Sequence, residues 1–196
     1  MLAQLRASIV MMALFTLVCG LAYPLALTGI AGVAFPHQAG GSLVTDAKGQ
    51  VIGSSLIAQS FAKPEYLHPR ESAAGNGYDP TSSSGTNLGP MDQKLIDRVK
   101  ADAVAMHKEN PGATIPADAV TTSGSGLDPD VSPENAAMQA PRIAKARAIP
   151  EAEVLGVVAD NTGAPLLGFI GQPHVNVLAV NRALDARYPV GQAKAP

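Results

Sequence analysis

The chain contains no tryptophan, only four phenylalanines and four tyrosines, and a single cysteine. With so few aromatics, any core must rest on Val, Ile, Leu and Ala. The one thiol, Cys19, lies inside a long apolar run, so the remainder holds no disulfide. An oxidising compartment permits disulfides but does not demand them. No Gly-Lys pair occurs, which excludes a P-loop of the form G-x-x-x-x-G-K-S/T. Gly124 and Gly126 do not open a dinucleotide fingerprint, because Pro129 holds the third glycine's place, and no G-x-S-x-G surrounds Ser123 or Ser125. The four histidines (His37, His68, His107 and His174) show no metal-ligand spacing. Ser125 and His174 read as a serine-rich turn and a loop histidine rather than as parts of a triad. Asp128-x-Asp130-x-Ser132 starts like a calcium loop, but Pro133 stands where the sharp turn needs glycine and Gln139 where the twelfth-position glutamate belongs. No catalytic or metal-binding constellation is left, and no directly bound cofactor is expected.

Formal charge is missing from Ala7 to Pro36, the stretch ASIVMMALFTLVCGLAYPLALTGIAGVAFP. A bilayer core of about 30 Å needs roughly 20 apolar residues at helical rise, and this run exceeds that. A secretory signal peptide has an apolar region of about 7–15 residues, so a retained anchor over residues 7–34 is the preferred reading. Cleavage after Gly32-Val33-Ala34, releasing a secreted binding protein that begins near Phe35, is the alternative. Pro24 predicts a local kink. Arg6 is the only Lys or Arg before the span, and Lys48 is the first beyond it. This bias predicts a cytoplasmic segment 1–6, an extracytoplasmic domain 35–196, and Phe35-Pro36 at the outer interface of the inner membrane. Ala22-x-x-x-Ala26 and Thr28-x-x-x-Gly32 are small-residue pairs that let another helix approach closely.

Beyond the span, thirteen Lys and Arg face sixteen Asp and Glu, a net charge of −3. Nucleic-acid binding would want a clustered basic face, so it is not expected. About 160 residues are enough for one domain with a modest core. Residues 41–53 predict two short strands around an Asp46–Gly49 turn. Pro69–Pro90 is a long polar loop, a candidate contact surface that Tyr66 and Tyr78 are expected to pin. Leu95, Ile96, Val99, Ala103 and Met106 predict a helix over about 90–107. Ser132-Pro133-Glu134 is a helix start with a capping hydroxyl and an acid in the first turn, and that helix should run to about Ala148, with a kink or break at Pro141. Further elements are a short helix from Pro150, a strand over 166–170 after an Asn161–Gly163 turn, and a helix capped by Asn176. Gln139 and Arg142 lie one helical turn apart, either on a solvated face or able to bind a partner or an anion. The fold class is α+β: one transmembrane helix followed by one small exported domain.

Three segments carry a resemblance: TTSGSGLDPDVSPENAAMQAPRIAKAR, SSGTNLGP and GQPHVNVLAVNRALD. They closely resemble signature segments of the C-subunit family of bacterial Kdp-type potassium-transporting ATPases, and the similarity covers nearly the whole chain in order. Local departures are Arg70-Glu71-Ser72-Ala73, where the family commonly reads R-P-S-A, and Thr86-Asn87-Leu88-Gly89-Pro90-Met91-Asp92, where it commonly reads S-N-L-G-P-T-N. The resemblance implies a non-catalytic subunit of a potassium uptake pump, working with a channel-like subunit, a P-type ATPase subunit and a small single-span subunit. It also implies the alternative of a catalytic chaperone that raises ATP affinity, with Gln139 and Arg142 in the block linked to nucleotide. An exported domain would be out of reach of cytosolic ATP, so assembly is the preferred role, with Ala22, Ala26, Thr28, Gly32, Ser83 and Asn87 as candidate partner contacts.

Overall fold

The computed structural model describes residues 2–46 and 48–190. The chain divides into two compact units, one ending at Ser54 and the other starting at Ser55. In the first, helix α1 (Leu2–Phe15) passes through a π-helical stretch, Thr16–Ala22, into α2 (Tyr23–Ala34). Gln4–Ala34 is thereby one helix of 31 residues, long and apolar enough to cross a membrane. The expected kink at Pro24 takes the form of that π-helical stretch. Proline has no N–H to offer Gly20, and the wider turn just upstream absorbs the misfit. Thr28 Oγ1 donates to the Pro24 carbonyl at 2.8 Å. Phe35 ends α2, and Pro36–Ala39 makes a short turn of helix, α3.

Strands β1 (Leu43–Thr45) and β2 (Val51–Ser54) then pair antiparallel, as the turn chemistry predicts. Asp46 Oδ1 accepts from the Lys48 and Gln50 amides at 2.8 and 2.9 Å, and Gly49 takes φ 78°. Ala47 of that turn lies outside the described residues. The hairpin thus belongs to the same unit as the apolar helix, not to the second unit.

The second unit is built on α5 (Pro133–Arg147), α6 (Glu151–Asp160) and α7 (Val177–Arg187). Ser132 Oγ accepts from the Asn135 amide and Asn176 Oδ1 from the Ala179 amide, so both expected caps are present. Ala136, Ala140, Ile143 and Ala144 of α5 pack with Val154, Val157 and Val158 of α6 and with Val177, Val180 and Leu184 of α7. The core is aliphatic, as the lack of tryptophan requires. Strands β3 (Asp130–Val131), β4 (Thr162–Gly163) and β5 (His174–Asn176) form a small antiparallel sheet in the order β3-β5-β4. Its central strand adds the fully buried Val175 to the core. Helix α4 (Gln93–Glu109) begins at Asp92, whose Oδ1 accepts from the Lys94 amide, two residues later than the apolar stripe alone predicts.

Two expectations are corrected for local reasons. Of the kink or break expected at Pro141, the break does not occur: α5 runs unbroken from Pro133 to Arg147. The carbonyl that proline deprives of a partner belongs to Ala137, and both residues are exposed, so that carbonyl lies on the solvent face and is not buried without a partner. Residues 166–170 are not a strand either. Thr162–Gly163, expected as a turn, is β4, whereas 166–170 reverse the chain through Leu167 at φ 55° and Gly168 at φ 81°. The apolar residues of this run are exposed, so they form a chain reversal and not a strand of the sheet. At Gly163 a Cβ would lie 2.6 Å from the exposed His174 ring across the β4–β5 pair, so a side chain there would require that ring to swing aside.

Candidate functional site

Helix α5 carries a ladder of polar side chains at Ser132, Asn135, Gln139 and Arg142, spaced so that they share one face. Asp118 meets its first rung, accepting from the Ser132 amide (2.8 Å), the Ser132 hydroxyl (2.9 Å) and Asn135 Nδ2 (3.1 Å). Gln139 Nε2 donates to Asn135 Oδ1 at 2.8 Å and to the His68 carbonyl at 3.2 Å. Its Oε1 accepts from the His68 amide at 2.9 Å and from Arg142 Nη2 at 2.7 Å. Arg142 Nη1 reaches the Pro64 and Tyr66 carbonyls at 2.7 and 3.1 Å. The sequence-selected pair is therefore brought together, and its hydrogen bonds grip the backbone of residues 64–68. Burial and the adjacent Arg142 guanidinium hold the His68 pKa below its ordinary value.

The same segment is gripped from two more sides, by residues the sequence does not single out. Leu67 is fully buried, and Asn181 of α7 binds its amide and carbonyl at 2.7 and 2.9 Å. Arg147, whose side chain is wholly buried, donates to the Glu65 and Tyr188 carbonyls at 2.7 and 2.9 Å and pairs with Asp185 at 2.8 Å. Its guanidinium also lies 5.2 Å from the Tyr66 ring centre. Burial, and then Asp185, raise the Tyr66 pKa. Arg147 stands in the last turn of α5 beside Lys145, where a cation also suits the helix dipole. The signal that it is buried would be Asn181 and Asp185 on the facing helix, which only the fold brings near.

A second cluster clasps the polar loop. Arg70 Nη1 donates to Asp128 Oδ2 at 3.0 Å, and its Nη2 to the Thr121 and Thr122 carbonyls. Ser72 Oγ donates to the Gly126 carbonyl at 2.6 Å and accepts from the Tyr78 amide at 2.8 Å. Tyr78 donates to the Arg70 carbonyl, and burial pushes its pKa up to about 12. Ser84 and Ser83 bond the Ser125 carbonyl at 2.9 Å through amide and hydroxyl respectively. Gly126 sits at φ 68°, where a Cβ would fall 2.6 Å from the Ser84 oxygen and 2.7 Å from the Ala74 nitrogen. The serine-glycine stretch 121–128 is thus the seat of the 70–85 loop. Asp128 and Asp130, the carboxylates of the calcium-like start, are engaged by Arg70 and Asn176. Ser83 and Asn87 are exposed on this loop, and Asn87 has φ 52°. Ala22, Ala26, Thr28 and Gly32 are exposed along the apolar helix.

These features define a class: a small α+β unit whose polar side chains order its own long loops, in a chain with one helix able to span a membrane. The family described as KdpC, the K+-transporting ATPase c chain, matches residues 5–186. A potassium-transporting ATPase KdpC subunit of Caulobacter vibrioides is 64% identical over 189 residues, 96% of either chain. One of Caulobacter sp. strain K31 is 66% identical over the same length. Another, of Beijerinckia indica, is 56% identical and covers both chains completely. The chain belongs to the KdpC family and is an accessory subunit of a potassium uptake pump.

Proposed function

We propose that this subunit is non-catalytic and acts mechanically. Its apolar helix packs beside the channel-like subunit, and its exported domain rests at that subunit's outer mouth in the cell inner membrane, holding the assembly together. The observation that carries this reading is the use made of Gln139, all four of whose hydrogen bonds run within the chain. Supporting it, the 70–85 loop is held in one conformation while Ser83 faces solvent, which suits a preorganised protein contact. The outward orientation follows from Arg6, since cationic residues flanking a span stay in the cytoplasm. The partners are the channel-like subunit, the P-type ATPase subunit and the small single-span subunit, with lipid around the helix.

The test has two arms. A cysteine at Ser83 in a Cys19→Ala background should react with an impermeant reagent in intact cells. Deleting the chain after Pro36 should lower transport or assembly without changing the ATP affinity of the ATPase subunit. Protection of Ser83→Cys from the reagent, or micromolar ATP binding by the full-length subunit alone, would replace this reading with the chaperone of ATP binding.

A further inference from the structure

The β4–β5 connection, Ala164-Pro-Leu-Leu-Gly-Phe-Ile-Gly-Gln-Pro173, carries large apolar side chains that the domain leaves uncovered. Leu166 is 67% exposed, Leu167 76%, Phe169 76% and Ile170 50%. Elsewhere in the second unit, exposed large apolar residues such as Met91, Val104 and Leu155 lie far apart in sequence. Scattered apolar residues need no explanation, but a contiguous cluster marks an interaction site. The cluster is also tied across its own turn. Leu166 and Ile170 exchange both backbone hydrogen bonds at 2.9 Å, and the Gly168 amide donates to the Pro165 carbonyl at 2.9 Å. Leu167 is held at a positive φ that a β-carbon disfavours, so the backbone accepts strain to present this tip.

Charge decides between lipid and protein as the occupant. No Lys or Arg occurs from Ala148 to Asn181, while Glu151, Glu153 and Asp160 stand on the preceding helix. Loops that enter a membrane surface pair apolar residues with cationic ones, because the headgroups are anionic. An uncharged tip whose own stretch of chain holds no Lys or Arg, and whose preceding acid Asp160 is already paired with Arg187 at 2.8 Å, suits a desolvated groove on a protein, and membership of a multisubunit ATPase supplies protein partners. We propose that the β4–β5 tip docks into an apolar groove on another subunit of the same pump, with Leu167 and Phe169 as anchors. This deepens the assembly role and rests on it, though not on the side of the membrane where the domain lies.

The test uses the intact pump. A photo-crosslinking benzoylphenylalanine replacing Phe169 should join this chain to another subunit, while the same probe at Val104 should not. Phe169→Asp should reduce co-purification of the other subunits by about tenfold or more, as expected from losing one fully buried aromatic contact. Phe169→Leu and Val104→Asp should leave it unchanged. Crosslinks only to lipid, only to a second copy of this chain, or to nothing would overturn the docking site. If the chain deleted after Pro36 still assembles normally while the Phe169 probe crosslinks to a subunit, the docking site stands and the assembly role falls. If the deletion abolishes assembly and the probe crosslinks to no subunit, the role stands and this site falls.

Discussion

Replacing Gln139 by leucine keeps the side chain's approximate volume and removes four hydrogen bonds at a position only 5% exposed. The His68 amide and carbonyl and Asn135 Oδ1 would be left without this partner, while Arg142 would keep the Pro64 and Tyr66 carbonyls. Neutral hydrogen bonds contribute about 1 kcal/mol net and those to charged groups about 1.5–3 kcal/mol. Because contributions within one network are not additive, Gln139→Leu is expected to cost about 3–5 kcal/mol. Total stability in small domains is roughly 5–15 kcal/mol, so this is a large share. The measurement is urea unfolding of the detergent-solubilised full-length chain, followed by tyrosine signal. With a slope of about 2 kcal/mol per molar, the midpoint should fall by about 2 M. Gln139→Glu, which keeps both acceptor bonds and loses both donor bonds, should fall between wild type and Gln139→Leu. A Gln139→Leu midpoint within about 0.3 M of wild type would refute the claim that the ladder holds the 64–68 segment. A stable variant that instead raised the pump's KM for ATP would shift Gln139 from clamp to nucleotide ligand.

Two further outcomes follow from the same geometry. The His68 pKa lies below its unfolded value of about 6.5. The unfolded chain therefore binds more protons in the window beneath 6.5. Stability from this group is present above that pH and is lost as pH falls through the lower folded value. Unfolding midpoints should drop below pH 6.5 more steeply for wild type than for His68→Gln, and equal slopes would show that His68 is not the sensor. Gly126→Ala should cost about 2 kcal/mol or more, through a positive φ and a collision with backbone of the opposing loop. Limited proteolysis should then cut between residues 70 and 90 faster than in wild type, and an unchanged cleavage rate would contradict the clasp.

The local elements are legible where one residue type suffices to start or stop them. Ser132 and Asn176 announce helix starts because a side-chain oxygen accepts an orphan amide within its own turn. Asp46 and Gly49 announce the β1–β2 turn in the same way. The polar loop and its ordering are also visible, since a Ser, Gly and Asn stretch of that length is seldom idle. What holds it is not, because Ser72 meets Gly126 across 54 residues and Arg70 meets Asp128 across 58. Gln139 and Arg142 are conspicuous as polar residues on a helix, but only the fold decides that they face a loop rather than solvent. The 166–170 segment misleads because burial, not hydrophobicity, distinguishes a core strand from an apolar tip. The departure at Glu71 falls on an exposed side chain between Arg70 and Ser72, which carry the contacts. The hydrogen bonds of ladder and clasp do not use it, and its charge reaches the clasp only by adding to the burial that raises the Tyr78 pKa.

The grip on residues 64–68 also dictates an order of events as the chain is made. That segment waits for Gln139 and Arg142, then for Arg147, and finally for Asn181 and Tyr188 near the C-terminal end. Contacts this distant in sequence form late, since their loop-closure entropy must be met before they contribute. A ribosome delivers Asn181 and Tyr188 after the other partners, so residues 64–68 emerge and persist without their full set of native contacts until α7 is complete, whereas the 70–85 loop needs only residues 121–128. During that interval the segment is open to proteases and to holding chaperones. Loss of α7 would leave the Leu67 amide and carbonyl permanently without Asn181. Helix α7 thereby acts as a completeness check: a truncated chain can carry the whole apolar helix and the clasped 70–85 loop and still leave Leu67 without its Asn181 partner.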